Sequence, residues 1–485
     1  MSRARVLALL AAVSVLFHLK GVASPPTDYH YHRQANTALI ARNYAKPGAK
    51  LLEPKVDWEG PYDGRSATEL PLYMWMTGKL WPLFGLEHVW GRILSILFSV
   101  LGAWYLFLFL RRRFDLAQSL ASALLFTAIP LEIYFGRTIQ PEALALAATL
   151  GSLYHWDRWL DDEKSLDWAG AVFLAFLAIG HKLPYAYLLL ALAFLTSTKK
   201  GLKAFARPSV LAAPLLCAAG VFAWYKYASG GSYVVPTKGD AFLTILDYSK
   251  GGGRLLYYIQ FQFFSRLPEL GATWPGMAMA AVGAMALWRR GERFVFLWWA
   301  SVALSLMVGG GYTFFHEYTS LPMAPVMASF MGAGLVALWR ISPKAKVFAA
   351  ALVLAMPITA LYRIKHWYNL SYTHLVTARQ AADAVSAPGD LFVCNDRAPS
   401  VTLFYLRRKG WCWGFNEAPT IVPRADGYAA EGAKFLMSAS ADLNAPERAE
   451  LAARYPLIYD KAGIVIYRLS PAGSVAQSSR QKKRS

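Results

Sequence analysis

The chain has 485 residues, 56% of them hydrophobic and only 16% charged, with 17 tryptophans and a mean hydropathy of +0.30. A soluble protein of this length needs more polar surface than that leaves, so the composition excludes the soluble globular class and describes a mainly α-helical polytopic membrane protein. The formal net charge of +20 is scattered among connections between apolar runs instead of lining one domain, which reads as a topology and lipid-headgroup signal and not as a nucleic-acid surface.

A membrane-spanning helix needs about 20 apolar residues. Such runs recur near 5–23, 89–110, 116–133, 142–160, 168–181, 183–197, 208–228, 274–288, 294–311, 319–339 and 346–362, which predicts about eleven transmembrane helices. No repeat of 20–50 residues is visible. The first run has a rival reading as a cleaved signal peptide, with a basic start and Val22-Ala23-Ser24 as a small-residue cleavage site. Against that reading stands the placement of positive charge. Arg3 and Arg5, Arg111 to Arg113, Arg158 and Lys164, Lys199 to Arg207, Arg289 to Arg293, and Arg340 to Lys346 all fall on one side when eleven helices are counted. Short cytoplasmic loops retain lysine and arginine, so 24–88, 134–142, 229–273, 311–318 and everything after 363 are expected to face outward.

The first outer segment, 24–88, is long for a connection and rich in charge and aromatics. Residues 32–44 and 69–84 can each form an amphipathic helix in the interface, with a turn over 61–66 between them. Trp58, Tyr62, Tyr73, Trp75 and Trp81 suit an aromatic belt at headgroup level. At the other end, 363–470 reads as a small extracytoplasmic α/β domain, with strands over 390–394, 434–437 and 463–469 and a helix over 399–409 stopped at Gly410. Residues 471–485 read as a disordered basic tail. Cys394 and Cys412 would share an oxidising compartment, where a disulfide is allowed but not implied by two cysteines alone. Cys217 reads as a small buried apolar residue.

Polar residues at membrane depth are costly and usually functional. Asp28 lies just beyond the first run; Tyr134-Phe135-Gly136-Arg137 precedes Pro141-Glu142; His181-Lys182 follows the fifth run; Arg254, Gln260, Gln262 and Arg266 follow the seventh; His316-Glu317-Tyr318 follows the ninth. Two acids and several bases on one face suit transfer of a group from a phosphate-bearing donor to a hydroxyl or amine. Fixed cations at Lys182, Arg137 or Arg266 would meet the charge developing on a phosphate leaving group. Asp28 would take the proton of the attacking group. Plainer readings stand beside these: Lys182 and Arg137 as snorkelling cations, Glu142 as a helix N-terminal acid after Pro141. His316 with Glu317, or His30 and His32 with Asp28, are too few ligands to define a metal site, so no cofactor is expected and a divalent ion is the lesser reading.

In their order along the chain, these segments resemble the GT-C glycosyltransferases, specifically the family 39-like group that contains aminoarabinose transferases acting on lipid A and protein O-mannosyltransferases. The residues that carry the resemblance are Asp28 with 33–43, Glu69-Leu70-Pro71-Leu72-Tyr73, Gly91-Arg92, Tyr134 to Arg137 with Pro141-Glu142, His181 to Pro184, and His316 to Tyr318 before Leu321-Pro322. The resemblance implies a polyprenyl-phosphate-linked sugar donor, inverting transfer on the outer leaflet of a bacterial inner membrane, and a lipid, glycan or protein acceptor. It implies Asp28 and Glu142 as the catalytic acids, Lys182, His316 and Tyr318 near the donor phosphate, and Glu69, with His32, Arg33 and Tyr73, on the acceptor side. Where the family carries two adjacent acids after the first helix, this chain has Asp28-Tyr29. The competing readings are a lipid-linked glycan polymerase or ligase and, in a different class, a lipid or sugar transporter or flippase, which would favour paired broken helices in two similar halves.

Overall fold

The computed structural model describes residues 2–67, 69–85, 87–228, 233–234, 257–395, 401–413 and 421–469. Arg254 and the tail 471–485 lie outside them. The helices of the described residues are, in chain order, α1 (Arg3–His18), α2 (Tyr31–Ala45), α3 (Leu72–Phe84), α4 (Glu87–Arg111), α5 (Leu116–Thr127), α6 (Pro130–Phe135), α7 (Glu142–Asp162), α8 (Ser165–His181), α9 (Tyr187–Lys200), α10 (Pro208–Ala228), a π-helix (Phe261–Gly271), α11 (Trp274–Arg289), α12 (Phe294–Phe315), α13 (Met323–Ile341) and α14 (Pro343–Arg363), with single-turn 3-10 segments between some of them. Their starts follow local chemistry. The Asp115 carboxylate accepts the Gln118 N–H at 2.8 Å ahead of α5, and Ser342 accepts from Ala345 at 3.2 Å ahead of α14, whose first residue is proline.

Each apolar run of the sequence is helical, but length and hydropathy separate them. Among the described residues, 4 helices are long and apolar enough to cross a membrane: His88–Arg111, Pro208–Ala228, Met323–Ile341 and Pro343–Arg363. A fifth is added if Tyr257–Gly271 and Trp274–Arg289, bent by 107°, count as one broken span. Leu116–Thr127, Ser165–His181 and Phe294–Gly309 are apolar but shorter. The bend falls where Pro268 removes a backbone donor and Thr273 takes a left-handed φ of 68°.

Small residues let the central helices touch. A Cβ on Gly283 of α11 would lie 1.8 Å from the Phe330 carbonyl oxygen, and one on Gly334 of α13 the same distance from that of Met279. Without a hydrophobic force between lipid-embedded helices, close backbone approach of this kind drives association. One end of the bundle gathers the basic connections. Asp157 of α7 accepts from Arg112, from Arg113 at 3.1 Å and from Lys199 at 3.0 Å. Arg340 pairs with Asp115 at 2.6 Å, Arg207 with Glu163 at 2.7 Å, and Arg290 donates to Gln118 at 3.2 Å.

After α14 the chain forms α15 (Ala378–Val385), β1 (Leu391–Asn395), α16 (Val401–Leu406), β2 (Gly410–Trp413), α17 (Ile421–Ala430), β3 (Ala433–Ala439), α18 (Ala445–Arg454), β4 (Leu457–Lys461) and β5 (Ile464–Arg468). The strand order is β2-β1-β3-β5-β4, with β1 parallel to β2 and β3, and β5 antiparallel to β3 and β4. Two strands were not expected from the sequence. Arg407 takes a left-handed turn with φ 54°, so Gly410 opens β2 instead of only stopping a helix. Cys394 and Cys412 sit opposite each other across β1 and β2, with no disulfide between them.

Alternation divides the sheet. Val393, Leu436, Val465 and Tyr467 pack with Ala425, Ala429 and Leu451 of α17 and α18. Phe392, Phe435, Met437 and Ile466 instead share one core with Leu39 and Tyr73 of α2 and α3. Backbone bonds seal this joint: Gly60 donates to Gly410 at 2.7 Å and Gly410 to Asp57 at 2.9 Å. Arg42 reaches the Phe404 carbonyl at 2.6 Å and Asp57 at 2.9 Å.

Candidate active site

The residues singled out in the sequence fall into two groups. The first is closed. Asp28, between α1 and α2, is 2% exposed, and Arg92 and Arg137 are 0% exposed. Arg137 donates to Asp28 Oδ2 at 2.7 Å; Arg92 at 3.2 Å and Gln34 at 2.6 Å donate to Oδ1. Both guanidinium groups also reach the Gly21 carbonyl, and that of Arg137 lies against the rings of Tyr134 and Tyr368 at 4.7 and 4.6 Å. Each oxygen of Asp28 therefore has a partner, and the guanidinium of Arg137 is engaged with that carboxylate and the Gly21 carbonyl. Tyr73 is likewise turned inward. It is fully buried, and its hydroxyl bonds the Gly91 carbonyl and Ser95 at 2.8 Å.

The second group brings four outer connections together. Lys182, which ends α8, stands 2.9 Å from Oε1 of Glu142, the first residue of α7. Oε2 of Glu142 has no hydrogen-bond partner among the described residues, nor have His181 Nε2 and the Tyr185 hydroxyl. Across from this pair Arg33, on the first turn of α2, binds Glu69. Burial alone would push the Glu69 carboxyl up, but the charges of Arg33 and Lys182 and the hydrogen bond from Arg33 outweigh it and hold the group below the ordinary carboxylate range. The ammonium of Lys182 lies 5.1 Å from the Tyr318 ring, which stacks on His316 at 5.2 Å.

His30 ties α2 to the loop after α12. Its φ of 57° is left-handed, a conformation that costs a non-glycine residue about 1 kcal/mol or more. It is held by the bond to Glu317 at 2.8 Å and by edge-on contact with Tyr318 at 5.1 Å. Burial first, then the neighbouring His30 and Lys182, lowers the His316 imidazole to about 4. Arg266 lies on the far side of Glu317 at 3.7 Å, but its donors go to the Thr313 and Phe314 carbonyls. It fastens the loop to the π-helix. His32 is exposed on α2, stacked near Tyr31 at 4.0 Å. No group of three His, Cys, Asp or Glu among the described residues is disposed to hold a metal ion.

Sequence reasoning gave no role to Arg92, Gln34 or the His30–Glu317 pair. A signal for Arg92 existed, since it is a lone cation inside the apolar run 89–110. The pairing of His30 with Glu317 spans 287 positions, and nothing local announces it.

A family model described as dolichyl-phosphate-mannose-protein mannosyltransferase matches residues 67–225, a stretch that holds Glu69, Glu142 and Lys182 and ends before Arg266 and His316. No curated protein matches by sequence. Among solved structures, the chain is similar to ArnT from Cupriavidus metallidurans bound to undecaprenyl phosphate, at 14% identity and TM-score 0.64, over 96% of this chain and 98% of that one. It is similar to the oligosaccharyltransferase AglB from Archaeoglobus fulgidus in complex with an inhibitory peptide and a dolichol-phosphate, at 13% identity and TM-score 0.58, over 97% and 74%. The arabinofuranosyltransferase AftD from mycobacteria matches at 16% identity and TM-score 0.58, over 98% of this chain and 42% of that one. At these identities the likeness is one of fold, and in the first case it runs the length of both chains.

Proposed function

We propose that this chain, which has the fold of the GT-C membrane glycosyltransferases, moves a sugar from a polyprenyl-phosphate donor to an acceptor on the extracytoplasmic face, with inversion. The observation that carries the reading is the Lys182–Glu142 pair at 2.9 Å, with an unpartnered carboxylate oxygen and a second cation–acid pair, Arg33 and Glu69, facing it. The undecaprenyl and dolichol phosphates bound to ArnT and AglB support the donor class.

In this reading the donor phosphate engages Lys182 and also Arg33, which the resemblance places on the acceptor side and which faces Lys182 across the Glu69 carboxylate. The acceptor oxygen or nitrogen attacks the anomeric carbon and gives its proton to Glu142. The bond from that carbon to the phosphate oxygen breaks, and the electron pair stays on the phosphate. Fixed cations in a site shielded from water meet that charge without reorganising, which is the largest rate effect available to such an enzyme. His181 and Tyr185, buried with unpartnered polar atoms, supply hydrogen-bond capacity for sugar hydroxyls. Asp28 holds Arg92 and Arg137 and, through Gln34, the start of α2; its part is to set the position of Arg33, the residue next to Gln34. His316 and Tyr318 wall the phosphate side, and Arg266 braces their loop.

The membrane part of the reading is eleven crossings, one for each apolar run, with the basic ends in the cytoplasm of a bacterial cell and the C-terminal domain outside. Helices too short to span alone are accommodated by neighbours and by local thinning of the bilayer. The test is incubation of the purified protein with a panel of polyprenyl-phosphate sugars and a cell-envelope fraction as acceptor. Release of polyprenyl phosphate supports the reading. Consumption of no donor, together with passage of labelled lipid across vesicles, supports the transporter alternative and removes this one.

A further inference from the structure

A second polar cleft lies away from the reacting group, at the C-terminal end of α2. It encloses about 240 Å³ and is lined by Lys46, Lys50, Lys55 and Lys409, with Glu53 and Asp63 as its acids. That is smaller than the roughly 300–1,000 Å³ of drug-sized pockets and larger than a bare ion requires. Its walls come from two parts of the chain: residues 43–63 of the first outer segment, and Lys409, just before β2 in the C-terminal domain.

The cleft is pre-formed. Asn43, buried on α2, donates to the Lys55 carbonyl at 2.9 Å and to Asp57 at 3.1 Å, and the Tyr44 hydroxyl donates to the Leu51 carbonyl at 2.7 Å. These bonds pin the loop that carries the lysines. Among the described residues each ammonium has one hydrogen-bond acceptor: Asn43 Oδ1 for Lys46, Glu53 at 3.3 Å for Lys50, Asp63 for Lys55, and the Tyr62 carbonyl at 3.0 Å for Lys409. An ammonium has three donors; the side chains of Lys50 and Lys55 are 74% and 38% exposed, so the rest of this donor capacity faces water and can be taken up by a ligand. Charge is unbalanced as well. Glu53 is shared with Arg65 at 3.1 Å. Burial, then repulsion from Arg42, Lys409 and Lys55, lowers the Lys46 pKa against the pull of Asp57. A site of this kind is completed by an anion. Point-charge ammonium groups around a rounded cleft suit a phosphate ester better than the flat, two-pronged contact that arginine makes.

We propose that this cleft binds a phosphorylated sugar. From Arg33 to Lys46 is about 20 Å along the α2 axis at ~1.5 Å per residue, so the cleft is a separate subsite on the helix that also enters the reacting group. The proposal reads on binding alone and does not depend on the transfer reaction.

The experiment is calorimetric titration of the full chain in nanodiscs of neutral lipid with glucose 6-phosphate, with glucose as the uncharged control. A parallel arm uses nanodiscs containing phosphatidate and no sugar phosphate, because a lipid headgroup offers the same phosphate monoester. Glucose 6-phosphate is expected to bind, more weakly as salt rises, and glucose is not. The double variant Lys46→Gln, Lys50→Gln should bind about tenfold more weakly, the loss of roughly one charge-assisted contact. Lys409→Gln gives the same reading from the domain side should the double variant prove unstable. Absence of glucose 6-phosphate binding, or binding unchanged in both variants, overturns the proposal. Phosphatidate binding lost in the variants without any sugar-phosphate binding also overturns it, since the ligand is then the membrane.

Discussion

Two acids that look alike in the sequence have opposite surroundings. Asp28 is enclosed by Arg92, Arg137 and Gln34, whereas Glu142 meets one cation and leaves an oxygen unpartnered. Removing one partner of a buried charge pair strands the other, at about 3–5 kcal/mol. Asp28→Asn is therefore expected to destabilise the protein by that order in detergent unfolding. Glu142→Gln leaves one cation, Lys182, without its carboxylate where Asp28→Asn leaves two, so it should destabilise the protein by less. An Asp28→Asn protein as stable as wild type yet inactive would return the proton-accepting part to Asp28. His316 supplies a pH signature. Its imidazole is lowered from 6.5 to about 4, so between those values the unfolded chain binds a proton that the folded chain refuses, and stability falls as pH drops through that window. Unfolding midpoints at pH 7 and pH 4.5 should differ in that sense, and His316→Asn should flatten the slope; an unchanged slope contradicts the burial of this ring. The sequence showed which residues were too polar for their place. Whether a partner already stood beside each was hidden, because the partners lie 64 and 109 positions away.

At the scale of elements, the C-terminal domain is part of the site's frame, since α2 carries Arg33 at one end, packs against α16 of that domain and shares an apolar core with one face of its sheet. Gly60 is the tightest point of that joint: with φ +59° and a Cβ position 2.2 Å from Trp411, it has no room for a side chain. Gly60→Val should lift β2 from the first outer segment, speed proteolysis of residues after 363 and weaken turnover; wild-type resistance to protease would show that the joint yields without loss. Short apolar runs made β1 and β3 legible, and alternation made β5 so. β2 was obscured because it follows α16 after a three-residue turn, and β4 because its exposed positions, Leu457 and Asp460 among them, break the apolar pattern. The π-helix with its 107° bend left no periodic trace beyond Pro268 and Gly271.

Across the whole molecule, the parity of basic loops was the most readable feature, because it needs only charge counting. The contacts of Arg112, Lys199, Arg207, Arg290 and Arg340 gather those loops at one end of the bundle, and His30, Arg33, Lys182 and Glu317 meet at connections from opposite helix ends. In cells expressing a form whose 3 cysteines are replaced by serine, Tyr62→Cys should react with an impermeant maleimide and Arg111→Cys should not. The reverse pattern would invert the topology. The central claim is that Glu142 and Lys182 form the reacting pair of a sugar transferase that uses a polyprenyl-phosphate donor. Its most direct measurement is the rate of polyprenyl phosphate release from the donor that the wild-type protein consumes, compared with Glu142→Gln under identical conditions. The account predicts a loss of about 10²–10⁴-fold, the usual worth of a positioned general base, in a protein that still folds. Release by the folded variant at close to the wild-type rate would contradict it.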